Sequence, residues 1–287
     1  MLTHRAETVG APTRALPAIS LVSTADESAA ADAAVDLALA HGASLHAAFL
    51  VPSARLGTLA EAEVRYDLVE ADLRDALQRT QAAAEAFARR ARDAGIPVEV
   101  LVISKEDPVC EETLTDVVRL SDLVVLPQPR PGLPSATDDA LDVLLTEAGR
   151  PCLVIPAAGQ TRTTFRAITV GWDGSAPAAR ALADSLPLLQ RAELVEVVRI
   201  TRDFAPDGPR VAERVRAYLA AHGIDARCRT LVSSLPFAEA VLSHIADTGA
   251  DLLVMGAYGH SRLREALVGG ASRDILSAMT IPVLMSH

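Results

Sequence analysis

The feature that most constrains this 287-residue sequence is an order of segments that occurs twice. Asp26-Glu27-Ser28 and Asp173-Gly174-Ser175 each follow a short apolar run and precede an alanine-rich stretch of helical period. Three further landmarks recur in the same order: Gly95-Ile96 with Gly223-Ile224, 122–126 with 251–255, and 150–154 with 281–285. Matches in a constant order indicate two copies of one unit, of which the first is the longer.

Each copy alternates apolar runs of strand length with helical stretches, a pattern typical of parallel β-α-β units. We therefore expect an α/β fold of two repeated domains, each a five-stranded, mainly parallel, Rossmann-like sheet with helices on both faces. The predicted domains are residues 1–158 and 159–287, with 156–166 as the linker. Ligands of such sheets bind beyond the carboxyl ends of the strands.

Composition excludes several classes of partner. With 27 Lys+Arg against 37 Asp+Glu the net charge is −10, and 3% of the residues are aromatic, so nucleic acid and membrane surfaces are poor candidates. Lys105 is the only lysine, which excludes a Walker A loop. Three dispersed cysteines favour neither a disulfide framework nor a zinc ribbon, and no signal peptide or membrane-length run occurs. We expect a cytoplasmic protein without a metal site.

A glycine-bearing segment follows the fourth strand of the second copy. Gly256 and Gly259 allow close backbone approach and a turn, and Gly269-Gly270 precedes a helix predicted from about Ala271 to Met279. Backbone N–H groups at such a helix start bind anions, and Ser272 adds a hydroxyl. His260 lies within the segment and is either a phosphate contact or a solvated loop residue. The segment predicts a site for a phosphate chain.

The spacing Gly-x2-Gly-x9-Gly resembles the nucleotide-binding signature of the universal stress protein family, and the whole chain is similar to a tandem member. The resemblance implies an adenine nucleotide alpha hydrolase-like fold, ATP bound alone or with Mg²⁺, and a role as a stress-response sensor or adaptor. It also implies that an unknown protein is the partner and that the last strands of the two domains pair as an internal pseudo-dimer, with a homodimer as a further assembly. The candidate binding residues are Gly171, Asp173, Met255, Gly256, Gly259, His260, Gly269, Gly270 and Ser272.

The sequence departs from the family pattern at two positions of the second copy. Gly270 stands where ATP-binding members have Ser or Thr, and Arg199 falls where an apolar residue commonly meets the adenine. The first copy has Pro127, Pro129 and Asp138 where the motif would lie, so we expect it to bind no nucleotide. Asp173 also has a second interpretation as a helix N-cap.

Catalytic motifs are absent from the sequence: it contains no Gly-x-Ser-x-Gly elbow and no His-Glu-x-x-His pair. We therefore expect no enzyme, or at most slow incidental ATP hydrolysis. Two alternatives remain open. One is a non-nucleotide interaction module with vestigial sites, and the other, less favoured, is an adenylyl-transferring enzyme, whose glycine-rich pyrophosphate loop is missing near the first strand.

Overall fold

Strands and helices alternate along most of the described part of the chain. The computed structural model describes residues 15–52, 66–104, 110–129, 136–159, 162–203, 207–257 and 270–287. The strands are β1 (Ala18–Ser23), β2 (Ser44–Val51), β3 (Val98–Ser104), β4 (Leu123–Pro127), β5 (Cys152–Ile155), β6 (Ala167–Gly171), β7 (Leu194–Thr201), β8 (Ala226–Val232), β9 (Leu252–Gly256) and β10 (Val283–Ser286). The helices are α1 (Ser28–His41), α2 (Tyr66–Asp93), α3 (Cys110–Arg119), α4 (Ala136–Glu147), α5 (Ala176–Asp184), α6 (Leu186–Leu189), α7 (Gly208–Ala221), α8 (Phe237–Thr248) and α9 (Gly270–Ala278).

All the strands belong to one sheet, in the order β3-β2-β1-β4-β5-β10-β9-β6-β7-β8. We call the part with β1–β5 the first half and the part with β6–β10 the second half. Within each half the neighbouring strands are parallel, as predicted, and the same strand order recurs. The halves join where β5 and β10 pair antiparallel, with Leu284 opposite Leu153. The resemblance implied this pairing of the last strands, and its result is one continuous sheet rather than two separate ones.

Helices cover both faces of the sheet, which confirms the predicted α/β fold. One apolar cluster contains residues of α1, α2 and α5–α7, and the other contains residues of α3, α4, α8 and α9. Central strands such as β4 and β9 contribute side chains to both clusters and are buried along nearly all their length. Their unbroken Val and Leu runs follow from this, because a strand covered on both faces has no solvent side.

Several element boundaries differ from the prediction. The helical period of the sequence predicts a helix from about Asp138 to Glu147 and a helical region over about 59–94, in addition to the helix from about Ala271. Helix α4 begins at Ala136 and α9 at Gly270, and the long region is observed as α2 (Tyr66–Asp93), residues 59–65 lying outside the described ranges. Helix α6 is a single turn of Leu and Pro that was not predicted, because four residues show no helical period. Among the described helices, none is both long enough and apolar enough to cross a bilayer.

Candidate functional site

The predicted site includes the ends of two neighbouring strands from which the chain continues to opposite sides of the sheet. Strands β6 and β9 are neighbours, but from β6 the chain proceeds to β7 on one side and from β9 to β10 on the other. The carboxyl ends of these two strands are Gly171 and Gly256. Such a switch point leaves a crevice between the diverging loops, which is where doubly wound sheets bind ligands. The structure thus brings together two glycines that are far apart in sequence.

Asp173 lies in the turn that leads from β6 into α5. Its Oδ1 accepts the backbone N–H of Ser175 at 2.8 Å, while the Ser175 hydroxyl accepts the N–H of Ala178 at 3.2 Å. Ser175 is therefore the N-cap of α5, and the N-cap interpretation of Asp173 was wrong by two residues. Asp173 instead closes the preceding turn with an exposed carboxylate. That carboxylate is available at the end of β6 to accept hydrogen bonds from a ligand hydroxyl.

Gly256 has a packing role that the sequence did not reveal. A Cβ on this residue would lie 2.5 Å from the backbone nitrogen of Ala178 and 2.6 Å from the carbonyl carbon of Pro177. The first turn of α5 therefore fills the space that we had assigned to a ligand. Gly171 is similarly close-packed, since its Cβ would lie 3.1 Å from the Phe237 ring. Both glycines let helices approach the strand ends, whatever else they contact.

Helix α9 carries the other end of the predicted motif. Gly270 is its first residue and is exposed, and a Cβ there would meet only Asp274 Oδ2, at 3.6 Å. Ser272 is buried in the first turn, and Met255 is buried within β9. Gly259, His260 and Gly269 lie outside the described residues. The described part of the site is thus the end of β6, the end of β9 and the start of α9.

Arg199 near the carboxyl end of β7 donates from Nη1 to Asp207 Oδ1 at 3.1 Å. The guanidinium is therefore held by a partner beside α7 where the family pattern has an apolar residue. Nearby, an apolar cleft of about 300 Å³ opens between α5 and α7; it is lined by Trp172, Ala179, Leu182, Arg214, Val215 and Tyr218. The buried Trp172 Nε1 has no acceptor among the described residues.

The proline-bearing stretch of the first half makes a structural contact that we had not predicted. Gln128, directly after β4, donates from Nε2 to the carbonyl of Leu276 in α9 at 2.7 Å and accepts the N–H of Ala157 at 2.9 Å. Residues 130–135 lie outside the described ranges, and Asp138 is in the first turn of α4. The described part of this stretch thus contacts the second half through the Gln128 amide.

Sequence reasoning also missed a buried polar cluster at the opposite, amino-terminal edge of the sheet. His244 Nε2 and Glu196 Oε2 are 2.6 Å apart, and Arg229 Nε lies 3.4 Å from Glu196 Oε1. Glu196 lines a cavity of about 190 Å³ that also touches Arg227 and Thr248. The available signal was a lone glutamate within the apolar β7 run. The cluster is far from the switch point and takes no part in the predicted site.

The described ranges hold no cluster of metal ligands, since they contain no group of three or more His, Cys, Asp or Glu side chains placed to hold a metal ion. Burial raises the pKa of the Cys152 thiol to about 12, so this cysteine stays protonated and is a core residue rather than a nucleophile.

Comparison with known proteins finds relatives of the second half by sequence. The model of the universal stress protein family matches residues 164–287. Universal stress protein Slr1230 of Synechocystis sp. is 31% identical over 153 residues, which cover 50% of this chain and 49% of that protein. Universal stress protein YxiE of Bacillus subtilis is 28% identical over 86 residues, covering 30% of this chain and 57% of that protein. The chain thus spans about half the length of the curated relatives that it matches.

Solved structures extend the likeness to the first half. A universal stress protein from Archaeoglobus fulgidus superposes with a TM-score of 0.62 at 14% identity, over 93% of this chain and 97% of that one. A protein of unknown function from Pseudomonas aeruginosa gives 0.56 at 17% identity, over 95% and 92%. At these identities the likeness establishes the fold alone. Residues 164–287 therefore match the universal stress protein family, and the first half shares the fold of a solved universal stress protein, consistent with a tandem universal stress protein.

Proposed function

We propose that the second half binds ATP or another adenine nucleotide, alone or with Mg²⁺, and that the protein acts as a stress-response sensor or adaptor that responds to this occupancy. The observation that carries the proposal is that the two described ends of the glycine segment are the end of a strand beside β6 and the start of a helix. The motif leaves β9 at Gly256 and ends where α9 begins at Gly270, while Asp173 lies at the end of the adjacent strand.

Two physical features support an anionic ligand at α9. The first backbone N–H groups of a helix have no partner within the helix and lie at the positive end of its dipole. Gly270 exposes them because it carries no side chain. Ser272, two residues on, adds a hydroxyl in the same turn. Phosphates would lie there, with the ribose hydroxyls toward the exposed Asp173 carboxylate.

The role is binding rather than catalysis. Hydrolysis of ATP needs a positioned water and usually a metal ion held by carboxylates. The Asp173 carboxylate accepts the N–H of Ser175, and Asp274 lies on α9 itself. Any turnover of ATP would be slow and incidental.

The test uses two substitutions at Gly270. Gly270→Asp places a carboxylate beside the proposed phosphates; Gly270→Ala adds only a methyl group, which meets Asp274 Oδ2 at an ordinary contact distance of 3.6 Å. Both variants should fold, because alanine favours a helix and an acidic residue suits a helix start. Isothermal titration with ATP should give saturable binding of one nucleotide per chain. We expect Gly270→Asp to weaken it about tenfold or more, corresponding to roughly 1.4 kcal/mol of repulsion, and Gly270→Ala to change it much less.

Failure of the wild type to bind ATP up to millimolar concentration would exclude the proposal. Equal affinity in wild type and Gly270→Asp would place the nucleotide elsewhere.

A second candidate function is a non-nucleotide interaction module, and two contacts favour it. The first turn of α5 fills the space in front of Gly256, and the Asp207 ion pair holds Arg199 at the place expected to accept adenine. Under this alternative the glycines serve only packing. A titration in which neither wild type nor Gly270→Ala takes up ATP would support it.

A further inference from the structure

The first half has a buried carboxylate at its own switch point. Strands β1 and β4 are the neighbours that diverge there, as β6 and β9 do in the second half. Glu27 lies in the loop after β1 and is only 7% exposed. Charged side chains are rarely buried unless they are paired or hydrogen-bonded, so a carboxylate in this position needs an explanation.

The contacts of Glu27 resemble those of a bound anion. Its Oε2 accepts the backbone N–H of Thr24 at 3.0 Å, and its Oε1 accepts the hydroxyl of Thr137 at 3.2 Å. Thr137 is 2% exposed and is the second residue of α4, the helix that corresponds to α9. The carboxylate therefore spans the crevice from the end of β1 to the positive end of α4.

Glu27 does not serve its own helix. It is the residue before α1, but its side chain makes no capping hydrogen bond to that helix. The hydroxyl of Ser23 donates to the Glu27 carbonyl at 3.3 Å and holds the backbone in place while the side chain reaches across to α4.

The repeat supplies the comparison. Glu27 and Ser175 each stand directly before the helix that follows the first strand of their half, α1 and α5, but Ser175 caps its helix through its hydroxyl. The second half thus has no carboxylate at the position of Glu27. Helix α9 correspondingly starts with an exposed glycine.

We propose that the Glu27 side chain is a tethered anion that occupies the anion site of the first half. The site is formed by the Thr24 N–H, the Thr137 hydroxyl and the first turn of α4, and it accepts a small carboxylate in place of the Glu27 side chain. The first half is consequently closed to nucleotides by its own side chain, which both fills the crevice and repels phosphate.

The experiment removes the tether and supplies the anion in solution. Glu27→Gly removes the whole side chain and keeps a residue type that is tolerated at a helix N-cap. The melting temperature of the full chain is measured with increasing sodium formate against sodium chloride at equal ionic strength. We expect Glu27→Gly to melt below wild type and formate to restore a saturable part of the loss.

Glu27→Gln is the matched control, because its amide fills the crevice and leaves no room for formate. The formate response should be confined to Glu27→Gly, and adding Thr137→Val should reduce it because the hydroxyl donor is lost. A formate response of the same size in wild type, Glu27→Gln and Glu27→Gly overturns the proposal. So does a Glu27→Gly variant as stable as wild type.

A second measurement does not require Glu27→Gly to fold. Urea unfolding of Glu27→Gln, Thr137→Val and the double variant forms a thermodynamic cycle. If the carboxylate and hydroxyl are partners in one site, Glu27→Gln costs less stability once Thr137 has been replaced. Strict additivity contradicts the site. Neither measurement depends on nucleotide binding in the second half, so its outcome is independent of that proposal.

Discussion

Gly256 shows how one residue type can have two explanations that only structure separates. From the sequence, a glycine at a strand end after an apolar run indicates close approach of a ligand. In the structure the backbone of Pro177 and Ala178 approaches instead, at 2.6 and 2.5 Å from where a Cβ would lie. Backbone atoms in a helix turn cannot rotate away as a flexible side chain can. A side chain at this position therefore forces α5 to move, with or without a ligand.

Gly256→Ala should accordingly destabilise the protein in the absence of any nucleotide. Overpacking of this kind costs about 1–3 kcal/mol. Urea unfolding monitored by circular dichroism measures it, with Gly270→Ala as the matched control, because the same methyl group makes only an ordinary contact there, 3.6 Å from Asp274 Oδ2. If Gly256→Ala is as stable as wild type, close packing against α5 does not explain this glycine, and only close approach of a ligand remains as its role.

At the scale of helices and strands, the two halves bind the ends of each other's helices. Gln128 donates to the carbonyl of Leu276 near the end of α9, and Arg191 Nη1 donates to the carbonyl of Ala40 near the end of α1, at 2.6 Å. Arg180 Nη2 likewise donates to the carbonyl of Gly149, two residues beyond α4, at 3.0 Å. Helix-end carbonyls lack partners within the helix, so a donor from the other half satisfies them.

The last turn of α1 gives this contact a pH dependence. Burial, with the nearby Arg191 charge as a second cause, lowers the pKa of His41 from its ordinary value of 6.5 to about 4. Below about pH 6.5 His41 is protonated in the unfolded chain, whereas in the folded protein it stays neutral until the pH falls to about 4. Stability from this residue is thus complete above pH 6.5 and is lost as the pH falls toward 4.

His41→Gln should therefore flatten the fall in melting temperature between pH 7 and pH 4.5. Arg191→Gln should flatten it in part, since it removes the second cause and leaves burial. Thermal unfolding in buffers across this range measures both, and the ordinary carboxylates contribute equally to all three proteins. Parallel pH profiles for wild type and His41→Gln would contradict the expectation.

The sequence predicted elements and their order well, because periodicity is a local property. Residues 122–126 and 251–255 were recognised as strands on apolar runs alone, and β4 and β9 lie within one residue of them. Contacts between residues far apart in sequence could not be predicted from periodicity. Gln128 was assigned to a lost motif, yet its amide donates to the carbonyl of Leu276 in α9, 148 residues further along the chain. Glu27 was noted only as part of a repeat, since nothing local showed that it would be buried.

The whole molecule has one continuous sheet and two apolar cores that both halves share, and is not a pair of independent domains joined by a linker. Leu153 of β5 and Leu284 of β10 face each other across the junction, and both are fully buried. Each apolar cluster contains residues of both halves. An unpaired β5 or β10 would be an exposed apolar edge, so neither half is expected to stay folded alone. The two halves should then unfold together.

The single tryptophan makes this cooperativity measurable. Trp172 lies in the second half, so its fluorescence reports that half alone, whereas far-UV circular dichroism reports the whole chain. Leu45→Ala creates a cavity at a fully buried position in β2, in the first half, and should cost about 2–5 kcal/mol. If the sheet is one cooperative unit, both signals shift to lower urea by the same amount; Leu186→Ala in the second half should behave identically. A Trp172 transition unmoved by Leu45→Ala would show instead that the halves unfold independently despite the shared sheet.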